Sequence, residues 1–168
     1  MDYHSLNDIF ADQLAEIWSA ERQLVVALPK LADAAASDKL RAAVDEHLAE
    51  THGHVARLER IIDRIDRQVP PVHCEAMDGL LRDGARVLSS GGDPRVRDVA
   101  LIATAQRIEH YEIAAYGTVR AIADELGWGE ISDMLVLTLN EENRADQTLS
   151  RLATGGFLRE GLNERAAR

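Results

Sequence analysis

The chain has 168 residues, which is enough for one well-filled hydrophobic core but too short for two ordinary domains. Hydrophobic residues make up 46% and charged residues 29% of the sequence, which excludes a disordered or collagen-like chain. The formal net charge of −10 disfavours nucleic acid and anionic membranes as partners. The single cysteine, Cys74, cannot form an internal disulfide, and no apolar stretch approaches the length of a membrane span. We therefore expect a soluble, cytoplasmic protein.

Glycine and proline residues divide the chain into segments in which apolar residues recur every three or four positions, the period of an α-helix. The predicted helices cover about residues 6–36, 38–68, 76–90, 94–126 and 130–153, followed by a charged tail at 154–168. Pro29 lies inside the first helix and predicts a kink there. Ser37 or Asp38 can cap the second helix, and Asp93 followed by Pro94 is a typical start for the fourth.

The connections between the long helices predict their arrangement. Tight corners join the predicted helices at 6–36 and 38–68, and those at 94–126 and 130–153. Each of these two pairs therefore forms an antiparallel hairpin. The link over about 69–93, with its own short helix, is long enough to cross the bundle. Two hairpins and one crossover predict an all-α, ferritin-like four-helix bundle that spans 1–168 as a single domain.

Carboxylates stand at the centre of the apolar helix faces, where leucine is the usual residue. With about 100° of rotation per residue, Glu21, Glu109 and Glu142 each lie within about 20° of apolar neighbours on their own helices. Glu112 lies farther round on the same side as Glu109, whereas Glu141 points about 100° away from Glu142, toward solvent. A buried carboxylate without a partner costs several kcal/mol, and few basic residues face inward.

Two further helix positions add possible ligands. Glu50 and His54 are four residues apart in the second helix, so both could hold one ion. His47 lies three residues before Glu50 on the same side, and either histidine could be the ligand. Asp146 follows Glu142 by four residues and also faces inward. Two divalent metal ions, with iron as the first choice and manganese as the alternative, would neutralise such a cluster of oxygen and imidazole donors. The predicted metal ligands are Glu21, Glu50, His54, Glu109, Glu112, Glu142 and Asp146.

Each of these residues also has an ordinary structural interpretation. A single inward glutamate is more often part of a salt bridge or a dimer contact, and Glu112 could pair with Arg120. His47 could be a hydrogen-bonded core histidine. Tyr111 and Tyr116 are redox-active neighbours of a metal or, as is usual for inward tyrosines, packing residues.

In its motifs the chain resembles the YciE/YciF-like proteins, a ferritin-like family. The resemblance covers roughly residues 6–153, and its most specific stretch lies in the third long helix. Among the stretches that carry it are Ser19-Ala20-Glu21-Arg22-Gln23-Leu24, His47-Leu48-Ala49-Glu50-Thr51, Ala105-Gln106-Arg107-Ile108-Glu109-His110-Tyr111-Glu112-Ile113-Ala114 and Thr138-Leu139-Asn140-Glu141-Glu142.

The resemblance implies a homodimer with a di-metal site like that in the helical domain of rubrerythrin, and a link to stress responses. The histidines of the rubrerythrin-type pattern fall on Gly53 and Ala145 here, with His54 and Asp146 as the substitutes. The ligands that this pattern assigns are Glu21, Glu50, Glu109, Glu112 and Glu142.

Three functional hypotheses follow. The first is a di-metal protein that reacts with hydrogen peroxide or oxygen, in which Glu21 and Glu142 are terminal ligands, Glu50 and Glu109 bridge the ions, and Glu112 is a shifting ligand. The second is a non-enzymatic, dimeric stress-associated bundle in which metal binding is weak or structural. The third is iron storage in a larger shell.

Overall fold

A computed structural model describes residues 2–65, 68–156 and 159–167. Within these ranges the chain is a helical bundle, as predicted. Its helices are α1 (Leu6–Ala34), α2 (Asp38–Ile62), α3 (Glu75–Leu88), α4 (Pro94–Glu125), α5 (Gly129–Thr154) and α6 (Leu162–Ala166), and β1 (Gly155–Gly156) pairs antiparallel with β2 (Arg159–Glu160). None of the described helices combines the length and the apolar character that a membrane span requires.

The helix starts follow from local capping. The Ser37 side chain accepts a hydrogen bond from the backbone N–H of Leu40 at the start of α2. Asp93 accepts one from the N–H of Arg95, and Pro94 occupies the first turn of α4. Both caps agree with the sequence prediction, and α1 continues through Pro29.

Two segments differ from the predicted boundaries. Helix α2 ends at Ile62 and is followed by a turn, whereas the sequence placed its end near residue 68. The tail at 154–168 contains the short hairpin and α6 instead of being only a charged extension. Leu162 of α6 is buried in the core, where this helix packs against α4 and α5.

The backbone contacts of Asp98 establish the direction of the helices. Its carboxylate accepts hydrogen bonds from the N–H groups of Ala36, at 2.9 Å, and Ser37, at 2.7 Å. Helix α4 therefore begins at the end of the bundle where α1 stops and α2 starts. The segment between α2 and α4 must run the length of the bundle, and it carries α3, which packs against α1 and α4. This is the predicted crossover between two antiparallel helix hairpins.

The hydrophobic core consists of two separate clusters. One lies at the end of the bundle where α1 stops and includes Leu24, Leu40 and Leu101. The other lies at the opposite end and includes Phe10 and Leu58. Each long helix contributes to both clusters, and between them lies a layer of buried polar side chains.

Candidate metal centre

The polar layer contains six ionisable side chains, and every residue among them is at most 6% exposed. All four long helices contribute to it. The six residues are Glu21 of α1, His47 and His54 of α2, Glu109 and Glu112 of α4, and Glu142 of α5.

One group of possible ligands consists of Glu21, His54 and Glu142. Nδ1 of His54 lies 2.9 Å from Oε1 of Glu142 and 3.2 Å from Oε1 of Glu21. The hydroxyl of Tyr116 donates a hydrogen bond to the same oxygen of Glu21 at 2.5 Å. Each residue of this group offers one donor atom, and these atoms lie within 4.8 Å of one another.

A second group consists of His47, Glu109, Glu112 and Glu142, with its donor atoms again within 4.8 Å of one another. Nε2 of His47 lies 3.4 Å from Oε1 of Glu109 and 4.0 Å from Oε2 of Glu142. Glu142 therefore belongs to both groups. Its Oε1 lies near His54 of the first group, and its Oε2 lies near His47 of the second. The two groups adjoin, as two ions sharing one carboxylate would require.

Both histidines have a carboxylate and an arginine behind them. Nε2 of His54 lies 3.0 Å from Oε2 of Glu141, which accepts a hydrogen bond from Arg57 at 2.9 Å. Nδ1 of His47 lies 4.0 Å from Glu50, which accepts a hydrogen bond from Arg144 at 3.1 Å. A carboxylate hydrogen-bonded to the outer nitrogen of a histidine, as Glu141 is to His54, orients the ring and makes it a stronger metal ligand, whereas Glu50 is not within hydrogen-bond distance of His47.

The position of Glu141 corrects one sequence expectation. Its side chain was placed toward solvent, but only 22% of it is exposed and it contacts His54 on α2. The helical angle places a side chain relative to its own helix axis only. Because α2 packs closely against α5, a residue at the edge of the buried face still reaches the neighbouring helix.

Five of the seven predicted ligands belong to the two groups, and His47, which the sequence left open, joins them. Glu50 lies outside both groups, with 23% of its side chain exposed. Asp146 also lies outside them, where it accepts a hydrogen bond from Gln106 at 3.2 Å and lies 3.3 Å from Nε2 of His110. Tyr116 was considered only as a packing or redox residue, although its spacing of seven from Glu109 places it on the same helix face.

Many of the possible metal-ligand atoms in the two groups have no hydrogen-bond partner among the described residues. These atoms are both oxygens of Glu112 and of Glu142, Oε2 of Glu21 and of Glu109, Nδ1 of His54 and both ring nitrogens of His47. The short contacts of His54 Nδ1 are close approaches that are not aligned as hydrogen bonds. Buried polar atoms are almost always paired, so a cluster of unpaired ones fits a site for bound cations.

The charges in this layer fit the same interpretation. The two groups contain four carboxylates, whose combined negative charge equals the positive charge of two divalent ions. Carboxylate oxygens with one imidazole in each group are a donor set that suits iron and manganese.

Without metal, protons must supply part of the missing positive charge. Burial by itself lowers the pKa of His54, but Glu142 and Glu21 outweigh it and raise the value to about 10. Burial likewise opposes protonation of His47, and Glu109, Glu50 and the other carboxylates raise its pKa to about 9. Burial raises the pKa of Glu109 and of Glu112 well above the usual range.

Comparison with known proteins identifies the family. A family model described as "Domain of unknown function (DUF892)" matches residues 5–166. The chain belongs to this family. It is also 38% identical to protein YciF of Escherichia coli strain K12 over 165 residues, covering 98% of this chain and 99% of YciF. The YciF-like family expected from the sequence motifs is therefore confirmed.

Solved structures of similar proteins have the same fold. The crystal structure of the E. coli stress protein YciF matches with a TM-score of 0.87 and 40% identity, covering 89% of this chain and 95% of that one. YcfI of Rhodopseudomonas palustris, for which a structural role has been suggested, matches with a TM-score of 0.86 and 36% identity, over 90% of this chain and 97% of that one.

Proposed function

We propose that this DUF892 protein binds two divalent metal ions in its polar layer and reacts there with hydrogen peroxide or oxygen. The observation that carries the proposal is the shared position of Glu142 between two groups of buried ligand atoms. No arginine or lysine of the described chain has an ion pair with any of the six residues, so cations from outside are the natural counter-charge.

The geometry supports a specific distribution of ligands. Glu21 and His54 would hold one ion, His47 and Glu109 the other, and Glu142 would serve both. Glu112 is 1% exposed, belongs to the His47 group and has no partner for either oxygen, so it would be a further ligand of the second ion. Bound iron or manganese would supply the electron-transfer chemistry toward a small oxidant.

Neighbouring residues prepare the site for this role. Tyr116 holds one oxygen of Glu21, and Glu141 holds the outer nitrogen of His54. The two apolar clusters flank the layer at both ends and surround it with side chains of low polarity. Low polarity around the site strengthens every interaction between the carboxylates and a bound cation.

Metal analysis of protein purified without chelator tests the proposal. We expect about two ions per chain, as in other bundles with this kind of site. Glu109→Ala should abolish binding of at least one ion, whereas Glu125→Ala, which removes an exposed carboxylate of the same helix, should leave the metal content unchanged. An unchanged metal content in Glu109→Ala would contradict the proposed site.

A second candidate is a non-enzymatic bundle in which metal has a structural role. The structural role suggested for YcfI and the dense histidine–carboxylate contacts support it. In this case added metal would raise the melting temperature while hydrogen peroxide consumption stayed at background. For either candidate we propose a homodimer, which light scattering coupled to a sizing column would test against a monomer or a storage shell.

A further inference from the structure

A pocket of about 150 Å³ opens between α2 and α5 and reaches the second ligand group. Its lining includes Glu46, His47, Glu50, Glu109, Arg144 and Ala145. The pocket therefore joins the protein surface to two residues of the proposed centre. A larger groove between α1 and α3 contains none of the six residues of the polar layer in its lining.

Side-chain exposure falls steadily along the pocket. Arg144 is 63% exposed and lies at the mouth, where it bonds to Glu50, which is 23% exposed. His47 and Glu109, at 7% and 4%, lie at the bottom. The pocket is thus a short passage from solvent to unpaired ligand atoms of the centre.

We propose that this passage is the port through which metal ions and the small oxidant reach the centre, an inference that rests on the proposed function. The two apolar clusters at the ends of the layer do not offer a favourable path for a cation. The lining carries the carboxylates of Glu46, Glu50 and Glu109 and also the side chains of Arg144 and Arg151. Beyond the Arg144–Glu50 ion pair, an incoming cation meets the carboxylate of Glu109.

The ion pair between Arg144 and Glu50 crosses the mouth from α5 to α2 at 3.1 Å. Arg144 neutralises Glu50 and partly obstructs the opening, so it slows the approach of cations. Arg144→Gln should accelerate metal uptake several-fold, without changing the donor atoms of the two groups.

Narrowing the port provides the decisive experiment. Ala145→Leu adds bulk to the wall of the pocket on α5, and Ala43→Leu does so on α2, with neither residue a candidate ligand. Uptake of Co²⁺ by the metal-free protein, followed by its visible absorbance, should slow at least tenfold in both variants while the final amount bound stays within twofold of wild type. Ala121→Leu, at an exposed position of α4, is the matched control and should bind at the wild-type rate.

Each outcome bears on the proposal. Wild-type uptake rates in a narrowed variant that has folded, as circular dichroism would report, would overturn the port. An absence of Co²⁺ binding in wild-type protein would overturn the proposed function and the port with it.

Discussion

Nδ1 of His54 lies 2.9 Å from Oε1 of Glu142, while the other nitrogen of the same ring lies 3.0 Å from Oε2 of Glu141. Two consecutive carboxylates of α5 thus contact opposite edges of one imidazole on α2. Glu142 is fully buried in the centre, and Glu141 connects the ring to Arg57 near the surface. The arrangement presents Nδ1 to the proposed metal site and fixes the ring from behind.

Replacing the outer carboxylate should therefore weaken metal binding without removing a ligand. Glu141→Gln is expected to lower metal affinity by about 10- to 100-fold while about two ions per chain still bind at saturation. Competition with a chromophoric chelator measures this change. Glu125→Gln is the matched control on an exposed position, and equal affinities for both variants would show that Glu141 does not support His54.

Glu112→Gln should stabilise the metal-free protein while weakening metal binding. Burial raises the pKa of this carboxyl well above its usual range, so at neutral pH folding must bind a proton there, at a cost that the permanently neutral glutamine does not incur. The variant should therefore have a higher free energy of unfolding than wild type when metal is absent. Urea unfolding in the presence of chelator measures the change, and the same variant should bind less metal. Destabilisation of the metal-free protein would contradict this account of Glu112.

The stability of the metal-free protein should depend on pH through its histidines. Because the folded pKa of His47 is about 9 and that of His54 about 10, above the usual 6.5, their stabilising contribution is complete below about pH 6.5. It is lost as pH rises through about 9 and 10. The raised pKa values of Glu109 and Glu112 also make stability fall as pH rises, because the folded state holds protons on these carboxyls that the unfolded state releases.

Melting curves of chelator-treated protein at pH 6.5 and 9.5 test this dependence. Wild type should lose more stability between the two values than a variant that combines His47→Gln with His54→Gln. Because metal and protons compete for the same atoms, metal affinity should rise over the same interval. A fall in stability of equal size in wild type and variant would rule out the histidines as its source.

The hydrogen bond from Tyr116 to Glu21 should add to the stability of the protein beyond the packing of the Tyr116 ring. Tyr116→Phe removes the donor at 2.5 Å from Glu21, which lies in a fully buried environment, and should cost about 1.5–3 kcal/mol in the free energy of unfolding. Tyr3→Phe removes a comparable hydrogen bond to Asp12 at an exposed site and serves as the control. Equal losses in the two variants, measured by urea unfolding, would mean that burial adds nothing to the Glu21 contact.

The parts of the structure that depend on local chemistry were predictable from the sequence. The caps at Ser37 and Asp93 depend on a few neighbouring residues, and both were anticipated. Glu21, Glu109 and Glu142 were identifiable because each stands at the centre of its own apolar face, and a single helix suffices to locate that centre.

Contacts between helices were harder to predict from the sequence. The choice between Glu50 and His47 as the residue nearer the second group depends on the rotation of α2 against α5, which no pattern within α2 encodes. The hydrogen bonds between Asp98 and the α1–α2 corner join residues about 60 positions apart, so no local pattern predicts them. The docking of Leu162 likewise depends on a distant surface.

Two metal ions sharing the carboxylate of Glu142 would give two separate peaks in an anomalous-scattering map. Crystals should be grown from protein purified without chelator and without added metal. We expect one peak beside Glu21 and His54 and one beside His47 and Glu109, with the Glu142 carboxylate in contact with both. A map without peaks, in which the same carboxylates and histidines contact only one another, would contradict the proposed metal centre.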